Sequence, residues 1–240
     1  MAKERIQRIN GEWGRPEIVE SKEGQLAMVI DLRRCIGCHS CSIACKQENQ
    51  VPLTFYRSWV KQMEKGTYPL VSTFNLPRLC NQCEKPVCVT VCPVTATFKR
   101  EDGITLVDSR VCVGCKACIA ACPYDARFVN PKKGTKYFGR GTADKCTFCA
   151  HRVDGGAKPA CVLACPTKAR YFGDLEDPNS EVSRIIAKNP VQTIKPHLGT
   201  EPHVFYIDAS SEIMGRMEMK PRLGRVEGHG GGDSGEHGEE

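Results

Sequence analysis

Sixteen cysteines in 240 residues, set in four groups of four, constrain this chain more than any other feature. They are Cys35, Cys38, Cys41 and Cys45; Cys80, Cys83, Cys88 and Cys92; Cys112, Cys115, Cys118 and Cys122; and Cys146, Cys149, Cys161 and Cys165. Groups one and three share the compact spacing C-x2-C-x2-C-x3-C. Group two is C-x2-C-x4-C-x3-C. Group four opens with the same tight pair and closes with the same C-x3-C, separated by eleven residues, Ala150 to Ala160. Groups two, three and four run directly into proline.

Two internal repeats accompany the groups. VIDLRRCIGCHSCSIAC (Val29 to Cys45) aligns without a gap on LVDSRVCVGCKACIAAC (Leu106 to Cys122). The last cysteine of three groups opens a second repeat: Cys92-Pro-x-x-Ala-x-Phe98, Cys122-Pro-x-x-Ala-x-Phe128 and Cys165-Pro-x-x-Ala-x-Tyr171. A C-x3-C pair suits one turn of helix. A following proline ends that turn, because the residue before proline disfavours the α region. Short strands are expected at Met28 to Asp31 and Ile104 to Asp108, with further strands starting at the aromatic residues. This strand, loop, helical turn, strand unit is the one from which two-cluster ferredoxins are built.

The chemistry follows from the spacing. Three clustered thiolates can wrap one [4Fe–4S] cube, while the fourth cannot bend back and ligates the neighbouring cube. Gly37 and Gly114 ease the approach of backbone to cluster. Structural zinc would use paired C-x2-C knuckles, for which three cysteines within seven residues followed by Cys-Pro is poor spacing. A disulfide framework belongs to short secreted chains. Four complete cubanes are the expectation.

The formal charge of +6 counts every cysteine as a neutral thiol. Sixteen thiolates around four oxidised cores would bring it to about −2, so the basic balance is no nucleic-acid footprint. Apolar runs such as Leu26 to Ile30 and Val111 to Ala121 are too short to span a bilayer, which takes ~20 mostly apolar residues. The stretch Met1 to Gly14 reads as lacking a signal peptide. Asp177-Pro178 can start a short helix with Val182, Ile185 and Ile186 as its apolar face and Pro190 as its end. His203 to Asp208 reads as a strand, and from Gly224 the composition cannot bury a core.

At these residues the chain resembles the iron–sulfur subunit of the dimethyl sulfoxide reductase-type molybdopterin oxidoreductases, and most resembles the polysulfide, thiosulfate and tetrathionate reductase branch. The strings MVIDLRRCIGCHSCSIACKQENQVP, ACPYDARF, KCTFCAHR and FGDLEDPNS carry the likeness, which extends from Gln25 to about Ala209. The resemblance implies an α+β fold of two interleaved ferredoxin-like domains: 25–78 with 143–176, and 79–142. An N-terminal extension (1–24), a docking segment (177–223) and a Gly/His/acidic tail (224–240) complete the expected organisation.

It also implies four cages. The first is Cys35, Cys38, Cys41 and Cys165; the second Cys146, Cys149, Cys161 and Cys45; the third Cys80, Cys83, Cys88 and Cys122; the fourth Cys112, Cys115, Cys118 and Cys92. By the same resemblance, cage one faces a molybdopterin-binding catalytic subunit and cage four a multi-span quinone-interacting membrane subunit. The complex would then lie at the cytoplasmic membrane, on its outer face by export with a partner, or alternatively on the cytoplasmic face. Group one departs from the pattern in ending Cys45-Lys46 without proline. Lys46, Arg33, Arg34 and Lys116 either bring positive charge to a cluster or are solvated surface, and His39 lies in a cluster loop.

No phosphate loop, dinucleotide fingerprint or nucleophile–base pair stands out. With cysteine filling every iron position, the chain reads as a non-catalytic electron relay in an oxidoreductase complex. A free soluble polyferredoxin, or the relay of a formate dehydrogenase or hydrogenase complex, is the alternative. The terminal substrate is not written in this chain, since that chemistry would sit in another.

Overall fold

The computed structural model describes residues 24–131, 141–210 and 214. The expected N-terminal extension, the tail and most of 211–223 lie outside the described residues. Strand β1 (Leu26–Asp31) runs through the centre of a four-stranded sheet, between β8 (Arg170–Asp174) and β10 (Val204–Ile207), with β9 (Val191–Gln192) at the edge. β1 is antiparallel to β8 and parallel to β10. Its residues are covered on both faces. Met28 and Ile30 join the main core with Leu76, Leu79, Ile104, Phe148 and Tyr206. Ala27 and Val29 face a smaller cluster with Val182 and Ile207. A strand covered on both faces needs a continuous apolar run rather than an alternating one, and LAMVI supplies it.

Among the described residues, three two-stranded units complete the sheet content. β4 (Thr97–Lys99) pairs with β5 (Thr105–Val107), and β6 (Arg127–Val129) with β7 (Ala143–Lys145). The long hairpin of β2 (Ser58–Thr67) and β3 (Leu70–Leu79) is absent from the sequence expectations. Its outer half is exposed, Tyr68, Leu70 and Val71 included, and only its base, Ser58 and Val60 with Leu76 to Leu79, is buried. With one end in water and one in the core, it shows no sustained apolar period to read.

The helices are short. α2 (Val87–Thr90), α3 (Ala117–Ala120), α4 (Ala150–Val153) and α5 (Ala160–Leu163) have four residues each, whereas α1 (Ser40–Asn49) has ten. The difference follows the prolines. α2, α3 and α5 each stop just before a Cys-Pro step, while Cys45-Lys46 lets α1 continue for another turn. α6 (Glu181–Lys188) begins later than the sequence suggests. Asp177 makes a turn, accepting from Asn179 N–H at 2.8 Å. Ser180 is the true N-cap, its Oγ accepting from Ser183 N–H at 3.1 Å. A serine hydroxyl one residue before the helix satisfies an otherwise orphaned donor, so Ser180 sets the helix start. Among the described residues, no helix is long and apolar enough to cross a membrane.

Candidate iron–sulfur centres

The Cys-Pro-x-x-Ala repeat has a common geometry. Thr95, Asp125 and Lys168, each just before the alanine, adopt left-handed backbone with φ of 51°, 48° and 50°. That turn aims the alanine N–H back at the thiol four residues earlier. Ala169 donates to Cys165 Sγ at 3.2 Å, Ala126 to Cys122 and Ala96 to Cys92. The three alanines are buried, so the repeat specifies a small residue as well as a turn. The compact loops have their own turn. Gly37 and Gly114 sit at φ of 71° and 70°, and a Cβ on either would meet Asn75 or the Gly141 carbonyl at about 2.5 Å. His39 and Lys116, next to the second cysteine of each repeat, are also left-handed and start α1 and α3.

Two cavities gather cysteines from distant groups. Cys35, Cys38, Cys41 and Cys165 line one, together with Arg170 and Ala169. Cys45, Cys146, Cys149 and Cys161 line the other, with Asn49 and Arg57. Each combines three thiols of one group with the last thiol of the other, so groups one and four exchange their ends. Groups two and three come together as well. The thiols of Cys80, Cys122 and Cys88 lie close enough to Cys83 for their charges, after burial, to help push it up to about 12. Cys118 feels Cys112 of its own group and Cys88 of group two. Cys92 follows α2, which packs on α3, and Cys115 is exposed at the rim.

These residues fit iron–sulfur clusters better than the alternatives. All sixteen thiols are free. Among the described residues, no three His, Cys, Asp or Glu side chains converge tightly enough for a single metal ion; the thiols of groups one and four ring cavities instead. Burial drives Cys45, Cys146 and Cys149 above the ordinary thiol range and Cys161 to about 11. Buried thiolates so unfavourable need a metal to hold them deprotonated. At Cys92 burial is outweighed by the N–H groups of Thr97, Val94 and Ala96, which pull it down.

The basic residues that the sequence singles out are mostly spoken for elsewhere. Arg33 pairs with Asp31 at 2.8 Å. Arg34 donates to Tyr171 Oη. Lys46 donates to the Pro52 and Phe55 carbonyls at 2.9 and 2.6 Å. Among the described residues, the buried cations that reach the thiols are Arg57, Arg127 and Arg170, and partly buried Lys46 also faces the charge of Cys45. Arg127 and Arg170 occupy the same unspecified place in the second repeat, directly after its alanine. Reading that place as a third element of the repeat would have found them.

A mixed helix-and-strand fold whose cysteines ring cavities under aimed N–H groups defines a ferredoxin-type [4Fe–4S] protein. The family described as the 4Fe-4S dicluster domain matches residues 71–175. A subunit of the tetrathionate reductase of Salmonella typhimurium is 46% identical over 212 residues, covering 86% of this chain and 80% of that protein. A polysulfide reductase component of Wolinella succinogenes is 45% identical, over 75% of this chain and 92% of its own length. The arsenate respiratory reductase iron-sulfur subunit of a Shewanella species is 39% identical, over 76% and 96%. The chain belongs to the iron–sulfur subunits of the dimethyl sulfoxide reductase-type oxidoreductases, and is an electron-transfer subunit of a reductase complex.

Proposed function

We propose that the chain holds four [4Fe–4S] clusters in the cages 35/38/41/165, 45/146/149/161, 80/83/88/122 and 92/112/115/118, and relays electrons along them in that order. Each bound cluster supplies one-electron redox chemistry. The carrying observation is the sequence of thiols that feel one another across cages. Cys41 acts on Cys161, Cys80 on Cys146 and Cys88 on Cys118. These charge interactions run from the first cage to the second, the second to the third and the third to the fourth. The line ends at the surface: of the sixteen cysteines only Cys38 and Cys115 are exposed, one in each terminal cage. Exposed apolar side chains flank both, Ile36 and Ile43 beside one, Val111 and Val113 beside the other, as suits docking faces at which electrons enter and leave.

The exchange of group ends supports a fold of two interleaved ferredoxin-like units, 25–78 with 143–176 and 79–142. The relatives are named as components of multi-part reductases, which supports partners at the two ends: a molybdopterin catalytic subunit at Cys38 and a quinone-interacting membrane subunit at Cys115. The chain itself is non-catalytic and peripheral to the cytoplasmic membrane, on its outer face. Anaerobic purification with affinity capture tests this. About sixteen iron and sixteen acid-labile sulfide per molecule are expected, with a large pterin-binding protein and a multi-span membrane protein retained. A monodisperse protein captured alone from native membranes would point to a free carrier instead.

A further inference from the structure

Arg170 and Arg127 stand at matching places, each five residues after the last cysteine of its group. Arg170 Nη2 donates to Cys41 Sγ at 3.4 Å and to Ser58 Oγ at 3.2 Å, and the same guanidinium hydrogen-bonds Cys161. Arg127 Nη2 donates to Cys88 Sγ at 2.9 Å and Nη1 to Thr97 Oγ1 at 3.2 Å, and the same guanidinium hydrogen-bonds Cys118. Cys41, Cys161, Cys88 and Cys118 are the third cysteines of the four groups. Each arginine therefore joins the third cysteines of two groups, one group from each of two neighbouring cages.

Both side chains are buried. Among the described residues, neither has a carboxylate within ion-pair distance, whereas buried Arg57 has Asp144 at 2.8 Å. A buried charge is tolerated only when it is paired. The negative charges that Arg170 faces are Cys161, Cys41 and Cys45, and those that Arg127 faces are Cys88, Cys118, Cys80 and Cys122. Tyr206 also faces Arg170, but burial raises its hydroxyl to about 12, which keeps it neutral.

We propose that Arg170 and Arg127 are positioning residues that serve as shared counterions, Arg170 for cages one and two and Arg127 for cages three and four. Each raises the reduction potential of both its clusters, so that the four potentials are set in two pairs. The inference rests on the four-cage reading above. Its sign is fixed by electrostatics. Reduction adds negative charge, and a nearby cation in a low-dielectric interior favours the reduced form.

The test is redox-poised electron paramagnetic resonance on the full chain with Arg170→Gln, Arg127→Gln and the charge-keeping Arg170→Lys and Arg127→Lys, after iron has been counted. The unsubstituted chain's iron count and the behaviour of Cys115→Ser alone judge the cage assignment separately. Each glutamine variant should lower two potentials and leave two in place. The expected fall is at least tenfold in the reduction equilibrium, about 59 mV for a one-electron couple. Each lysine variant should restore most of it. With Cys115→Ser marking cage four by its altered signal, Arg127→Gln should move the marked cluster and Arg170→Gln should not. Full iron with no shift, a shift in one cluster only, or an equal shift in all four overturns the proposal. If a glutamine variant loses iron, the lysine variant decides: full iron and near-native potentials support the counterion role, while iron loss there too makes the arginine a packing residue and overturns it.

Discussion

Arg57 Nη2 and Asp144 Oδ1 meet at 2.8 Å with both side chains almost wholly out of water. Arg57 also donates from Nη1 to Asn49 Oδ1 at 2.8 Å and lines the cavity of Cys45, Cys146, Cys149 and Cys161. Asp144 lies on β7, two residues before Cys146. The pair thus ties the loop after α1 to the strand that delivers group four. Breaking a buried pair from one side strands a charge and costs about 3–5 kcal/mol, whereas replacing both partners by apolar groups often recovers the loss. Asp144→Leu should lower the temperature at which the visible cluster absorbance bleaches, at roughly 2–4 °C per kcal/mol for a chain of this size. Arg57→Met combined with Asp144→Leu should regain the larger part. Two losses that simply add would show that the pair is not a coupled unit.

The extra turn of α1 makes a second prediction. Because no proline follows Cys45, Asn49 is still helical, and its Nδ2 donates to the Cys45 carbonyl at 3.0 Å while lying 3.7 and 3.8 Å from Cys45 Sγ and Cys149 Sγ. Lys46→Pro would copy the other three groups. Proline inside a helix removes a hydrogen bond and clashes with the preceding turn, at about 3 kcal/mol or more. The second cage should then lose its cluster, about four of sixteen iron atoms, while Asn49→Leu, which keeps the helix, should retain them. Full iron in Lys46→Pro would mean that the helical extension is incidental.

These two cases show where sequence reading reaches and where it stops. The cluster loops, the helical turns and the strands at Met28, Phe98, Phe128 and Tyr171 are local events. They are governed by cysteine spacing and by proline, and they can be read from a few adjacent letters. The pairing of Arg57 with Asp144, 87 positions apart, is a tertiary event that leaves no local trace. The basic residues near the cysteines in sequence, Arg33 and Lys46, are satisfied by Asp31 and by loop carbonyls. Those near the cysteines in space arrive on β6, on β8 and on the loop before β2, as Arg127, Arg170 and Arg57. The β2–β3 hairpin is hidden for a different reason: its outer half buries nothing, so no hydrophobic period marks it.

His203 should make stability depend on pH. It is buried beside Glu84, Nε2 to Oε2 at 3.3 Å. Burial holds its imidazole below the ordinary 6.5; Glu84 opposes this and Lys99 assists it. The unfolded chain therefore takes up a proton that the folded chain resists. Stability is complete above about pH 6.5, falls as pH drops through that value, and levels only below the folded pKa. The carboxyl of Glu84 lies lower than its usual 4.5, outside this window. Bleaching temperatures between about pH 7.5 and 5.5 should decline in the parent protein and decline less in His203→Gln. Equal slopes in the two proteins would assign the dependence to other groups.

Cys115 is exposed, whereas Cys118 beside it is buried under α2. As ligands of the fourth cage, Cys115 would hold it from its exposed side and Cys118 from its buried side. Serine oxygen is a harder and weaker ligand than thiolate for this iron. In Cys115→Ser the iron on that exposed side should leave and a [3Fe–4S] cluster should remain, with the other three clusters intact because their ligands lie elsewhere. Cluster type and net charge set potential, so under the proposed arrangement the relay would carry one member at the wrong potential at the end assigned to the quinone partner. Turnover driven by quinol should fall. Turnover driven by a dye that delivers electrons nearer the catalytic partner should fall less. Electron paramagnetic resonance of the oxidised protein should show the [3Fe–4S] signal. Cys38→Ser supplies the mirror case, with the altered cluster at the end the proposal assigns to the catalytic partner and both routes slowed alike. If Cys115→Ser keeps four cubanes and normal quinol-driven turnover, Cys115 is not a ligand of the terminal cage.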